Sequence, residues 1–122
     1  MKVFNGWKRS FQPVYPLRLL YKLASAPLQM IIFIPMKGYY IYVLQSEKDS
    51  LLYTGYTHDL KNRIKEHNSG YVPSTKNRQP LNLIYAEWCL NQTDVIAREK
   101  YLKSGMGKRY IRNRLKTYFS NL

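Results

Sequence analysis

The chain predicts an α+β domain, a small three-stranded sheet with helices packed on it, and three observations carry that prediction. Two aromatic and β-branched runs lie on either side of a short polar turn, as in a β-hairpin. A third such run follows later. Between and after these runs the apolar residues recur at helical spacing, with capping residues at the segment ends.

The elements follow in order. YYIYVLQ (39–45) reads as a strand, SEKDS as a polar turn, and LLYTGYT (51–57) as the returning strand. DLKNRIKEHNSG (59–70) reads as a helix that Asp59 or Thr57 can cap and that Asn68 with Gly70 can end. A polar loop with Pro73 and Pro80 leads to a third strand, LNLIYAEW (81–88). TDVIAREKYLKSG (93–105) is a second helix, capped by Thr93 or Asn91 and stopped by Gly105. KRYIRNRLKTYF (108–119) is a third, basic helix with Ile111, Leu115 and Tyr118 on one stripe. The order is β-β-α-β-α-α.

Charge narrows the partner. Lys and Arg number 20 against 7 Asp and Glu, a net +13, which favours a polyanion, either nucleic acid or an acidic membrane surface. Twelve tyrosines suit a surface that stacks and also hydrogen-bonds. A lone cysteine, Cys89, excludes an intrachain disulfide, and only His58 and His67 stand beside it, too few ligands for a usual zinc site. A reducing, cytoplasmic setting is the expectation.

Residues 1–37 differ from the rest, with six basic residues and no acidic one. Their apolar stretch, LASAPLQMIIFIPM, is broken by Pro27 and Pro35 and is too short to span a bilayer. Ala24-Ser25-Ala26 precedes the apolar run, the wrong order for a secretory signal. The expectation is a basic, poorly ordered N-terminal extension, with Met36 as an alternative start, followed by one organised domain over 38–122.

Several residues sit oddly for structure alone. Arg63 and His67, at i and i+4, flank the Leu60–Ile64 side of the first helix. On spacing alone they read first as a snorkelling Arg and a His stabilised at a helix C-terminus. Glu99 falls with Val95 and Leu102 at i, i+4, i+7, with Ile96 beside them, so a carboxylate enters an apolar stripe. It needs a cation at its head: Arg63, a neighbouring lysine, or a metal ion. Tyr40 and Tyr42 share one strand face and Tyr39 takes the other; with Tyr53 they read as sheet packing or as part of a site. Gly55 inside a strand pattern marks a bulge or a close approach. These patterns reach a basic α+β domain with a Tyr/Arg/His/Glu cluster and do not separate a nuclease from a binder.

At these residues the chain resembles the GIY-YIG nuclease superfamily, in particular its small stand-alone bacterial members, similar to the nuclease domain of an excision-repair endonuclease. Tyr40-Ile41-Tyr42 matches the first half of the naming motif and Tyr53-Thr54-Gly55 the second. Arg63 and His67 follow at the family's spacing, and AREKYLKSG supplies its helix-borne glutamate as Glu99. HNSG and STKNRQPLNLIYAE also resemble the small-member pattern. Tyr40 replaces the motif's first glycine and Thr54 its isoleucine, and neither carries chemistry. Asn113 is a candidate for the polar residue that some members place near the phosphate.

The resemblance implies a divalent-metal-dependent endonuclease that hydrolyses phosphodiester bonds, DNA before RNA, with a place in DNA repair. Glu99 would hold Mg²⁺ or Mn²⁺ and Arg63 the scissile phosphate. Tyr42, with Tyr53 or His67, would position and deprotonate water. Gly55 would let the backbone lie flat beneath the site. Lys108, Arg109, Arg112 and Arg114, with Lys116, would meet backbone phosphates. The alternatives are a non-catalytic DNA- or RNA-binding module on the same fold and a structural interaction protein. A binder would need no carboxylate at position 99.

Overall fold

The computed structural model describes residues 37–122. The expected extension, but for Lys37, lies outside the described residues. The strands are β1 (Tyr39–Ser46), β2 (Leu52–Thr57) and β3 (Leu81–Cys89), and the helices are α1 (Leu60–Asn68), α2 (Gln92–Lys103), α3 (Gly105–Arg114) and α4 (Lys116–Ser120). The sheet is antiparallel in the order β2-β1-β3. Its class is the expected α+β, with a fourth short helix at the end.

β1 is central because its alternation is apolar on both faces. Ile41 and Val43 are fully buried against Val95 and Leu102 of α2 and Ile111 of α3. Tyr42 and Leu44, on the other face, pack against Leu81 and against Leu60 and Ile64 of α1. A strand sandwiched between helices has no solvent face, which is why IYVL reads as a continuous apolar run.

Asp59 caps α1 by accepting from the Asn62 amide at 3.1 Å, and Asn91 caps α2 by accepting from Thr93 at 2.8 Å. Between these helices, Arg98 of α2 grips Glu87 of β3 through two bonds of 2.8 Å and lies over the rings of Tyr101 and Tyr110, with centroids at 5.1 and 4.7 Å. The Tyr85 hydroxyl adds a 2.6 Å bond to the same carboxylate. This clamp ties α2 and α3 to the sheet edge.

Three expectations need correction. Gly105 does not stop a helix but begins one. Ser104 closes α2 and also caps α3 by accepting from the Gly107 amide at 3.2 Å, so the chain turns without a left-handed glycine. The expected single helix over 108–119 is two, broken at Leu115, which lets Tyr118 reach back and donate to Gln45 Oε1 at 2.6 Å while Leu115 and Phe119 rest on the core. Ile96 lies outside the apolar stripe and is 43% exposed, because Val95 and Leu102 already define the face that α2 turns to the sheet.

Candidate active site

The strand-to-helix corner brings four of the five expected catalytic side chains into one cluster. Tyr42 projects from β1 directly across from Gly55 of β2. A Cβ at position 55 would lie 2.6 Å from the Tyr42 hydroxyl and 2.8 Å from the adjoining ring carbon, so the phenol occupies the space a side chain would take. Gly55 is required by this close approach. Tyr53 stands beside both rings, 6.3 Å from Tyr42 and 4.8 Å from His67 between centroids.

His67, at the last turn of α1, is completely buried, which places it inside the packing of that face rather than at its margin. Its Nε2 lies 2.9 Å from the Tyr42 hydroxyl and its Nδ1 lies 2.8 Å from Thr75 Oγ1. Arg63 donates from Nε to the same Tyr42 oxygen at 3.3 Å. Because a guanidinium only donates, Tyr42 accepts from Arg63, and the tautomer that also gives the Tyr42 proton a partner is the one in which Tyr42 donates to His67 Nε2. His67 is then the neutral tautomer protonated on Nδ1, donating to Thr75, whose hydroxyl donates on to the Val72 carbonyl at 3.4 Å. Every buried polar atom in this line has a partner.

The electrostatics agree with that assignment. Burial pushes the Tyr42 hydroxyl up to about 12, against the opposing pull of the Arg63 hydrogen bond. Burial, with the Arg63 charge nearby, brings His67 down to about 4, so it is neutral at pH 7. Arg63 is raised by its bonds to Tyr42 and Glu66 and stays charged.

Glu99 stands apart from this cluster. No hydrogen bond joins it to the four among the described residues, and its effect on Tyr42 is a weak Coulombic one. Its side chain is 16% exposed and pairs with Lys103 Nζ at 2.6 Å, so of its expected partners it takes the neighbouring lysine and not Arg63. Among the described residues no three His, Cys, Asp or Glu side chains gather as a metal cage. A single shielded carboxylate nonetheless fits Mg²⁺, which keeps several waters and commonly takes one or two protein carboxylates with substrate phosphates.

The expected basic set divides. Lys108 lines a cavity with Tyr53, Thr54 and Lys103. Arg109 and Arg112 line a separate groove with Tyr101, Tyr110 and Asn113, because the turn of α3 carries them to another side. Arg114 is exposed at the end of α3, and Asn113 is not in the Tyr42 cluster.

Two contributors were missed in the sequence. Glu66 holds Arg63 Nη1 at 2.7 Å, a pairing at helical i+3 spacing that was legible by that rule. Thr75 was not, since it comes from a short 3₁₀ turn (Pro73–Thr75) whose position only the folded loop sets.

Fold and site together define a basic α+β domain with a buried phenol–imidazole pair met by a part-exposed guanidinium at a strand-to-helix corner. The family model for the GIY-YIG catalytic domain matches residues 38–110, more than half of the chain, and the chain belongs to the GIY-YIG family. It is similar to a UPF0213 protein of Clostridium perfringens, 43% identical over 65 residues that make up 52% of this chain and 69% of that one. A UPF0213 protein of Pediococcus acidilactici is 41% identical over 83 residues, 62% of this chain and 83% of that one. The solution NMR structure of a UPF0213 protein from Bacillus halodurans is 30% identical and covers 62% of this chain and 83% of that chain, with a TM-score of 0.41.

Proposed function

We propose that this protein is a divalent-metal-dependent endonuclease acting on DNA in the cytoplasm, with Tyr42, Tyr53, Arg63, His67 and Glu99 as its working residues. The observation that carries the reading is the directed line Arg63 → Tyr42 → His67 → Thr75. A phenol buried against glycine, whose proton already points at a neutral imidazole, is arranged to accept one proton while giving up another.

Glu99 would hold Mg²⁺ or Mn²⁺ once Lys103 releases it, and the ion would supply charge stabilisation at the scissile phosphate. Arg63 would leave Glu66 and Tyr42 to grip that phosphate through its planar fork. This movement frees a Tyr42 lone pair for the attacking water. The water proton passes to the Tyr42 oxygen as the Tyr42 proton passes to His67 Nε2, while the water oxygen bonds to phosphorus and the ester P–O bond breaks. Its electron pair leaves on the ester oxygen, which takes a proton from solvent as His67 returns its own.

The two shifts favour this concerted route. With burial raising the Tyr42 hydroxyl and lowering His67, full transfer between them before substrate arrives is strongly uphill. A free Tyr42 phenolate is therefore not the resting form. Moving both protons together spares the buried oxygen a full charge. Engagement of Arg63 by phosphate also removes a charge that holds His67 down.

One observation favours the second reading, a non-catalytic nucleic-acid-binding module: the Arg63–Glu66 and Glu99–Lys103 pairs already neutralise both charged groups internally. Incubation with duplex, branched and single-stranded DNA and RNA, with Mg²⁺ or Mn²⁺ and an EDTA control, separates the two. Metal-dependent cutting that Glu99→Gln abolishes, with binding retained, is the expected result. Salt-sensitive binding without cutting of any substrate would establish the module instead.

A further inference from the structure

Arg63 also lines a cavity of about 390 Å³ with Tyr39, Tyr56, His58, Asp59, Asn62 and Glu66. The cavity on the Tyr53 side, about 220 Å³, is lined by Lys103 and Lys108. The two flanks of the site thus differ in sign, in a chain whose net charge is +13. Lysines suit the phosphate backbone, whereas in the Arg63 hollow Glu66 is paired with Arg63 and Asp59 has no cation partner among the described residues. What fits beside Asp59 is a neutral group that stacks and donates hydrogen bonds.

The polar atoms leave two acceptors free, on side chains exposed at the mouth of the hollow. Asp59 spends Oδ1 on the Asn62 amide, Asn62 spends Nδ2 on Glu66 Oε1 at 3.0 Å, and Glu66 spends Oε2 on Arg63. Asp59 Oδ2 and Asn62 Oδ1 have no partner among the described residues, and both are acceptors. Tyr39 and Tyr56, in edge-to-face contact at 6.5 Å, supply an aromatic wall. The volume lies at the lower end of small-molecule sites.

We propose that this hollow is a subsite for an unpaired nucleobase adjoining the phosphate held by Arg63, and that it selects guanine. Guanine alone among the bases presents two adjacent N–H donors, N1–H and N2–H, on its pairing edge. Thymine offers one there, and adenine and cytosine one amino group each. That this phosphate is the one cleaved rests on the nuclease reading; the base preference does not.

The test uses ¹⁵N-labelled full chain in EDTA, titrated with the tetranucleotides d(TTGT) and d(TTTT), which match in charge and length. The expected result is amide shift changes over residues 56–62 with d(TTGT) and binding roughly fivefold or more tighter than d(TTTT). Asp59→Asn keeps the α1 cap, since Asn caps as well as Asp, and should bring the two affinities together. Equal affinities in the parent protein, or shifts confined to the basic residues of α3, would overturn the subsite. Cleavage mapped separately on the same strands keeps the two claims distinct. Guanine preference without metal-dependent cutting removes the nuclease reading alone. Cutting with no guanine preference and no change over 56–62 removes the subsite alone.

Discussion

Acidification should unfold this domain in large part through His67. The imidazole is completely buried, its Nε2 accepts from Tyr42, and its folded value stands near 4 against about 6.5 when exposed. Because the folded value is depressed, the contribution is fully present above about pH 6.5 and is lost as pH falls toward 4, where the unfolded chain binds a proton that the folded chain refuses. Over that window the loss amounts to about 3 kcal/mol, a large share of the stability of a domain this size. The measurement is urea unfolding followed by circular dichroism at pH 7, 5.5 and 4, for the parent chain and for His67→Gln, which cannot titrate. Carboxylates contribute to both proteins alike, so the difference between the two pH profiles isolates His67. The parent should lose about 3 kcal/mol more than the variant between pH 7 and 4. Parallel profiles would refute the reasoning, since a histidine with ordinary solvation has no such dependence.

Further outcomes follow from the same geometry. Gly55→Ala places a methyl 2.6 Å from the Tyr42 hydroxyl and should cost roughly 1–3 kcal/mol, with the His67 ring resonances titrating nearer 6.5 by NMR as its phenol partner is pushed aside. Arg98→Lys keeps the charge but loses the paired bonds to Glu87 and the stacking on Tyr101 and Tyr110, and should lower stability by roughly 1–2 kcal/mol in thermal unfolding. Ser104→Ala removes the α3 cap and should cost about 1 kcal/mol in the same assay, with Ser104→Asp close to neutral.

Much of the fold was legible because its local signals agree with its burial. The β1 and β2 runs, the Asp59 cap and the Leu60–Ile64 stripe are short-range features, and the periods of strand and helix suffice to read them. The errors fall where one residue serves two elements. Ser104 ends α2 and starts α3, so Gly105 carries no stop, and the break at Leu115 answers to Gln45 and the core, distant in sequence. Spacing alone also left His67 readable as a helix-end cation, whereas full burial against Tyr42 and Thr75 makes it a neutral imidazole.

By itself, then, the sequence determined the α+β order and the polyanion-seeking charge, because composition and periodicity are properties of the chain before it folds, while the five residues at issue were singled out through the family resemblance. Only the tertiary structure decided who touches whom. It joined Tyr42, Arg63, His67 and Thr75 in one directed line, set Glu99 apart with Lys103, and sent Lys108 and Arg109 into different cavities. The physical reason is that proton direction and pKa depend on burial and on partners far along the chain, and those exist only when the sheet and helices have closed around them.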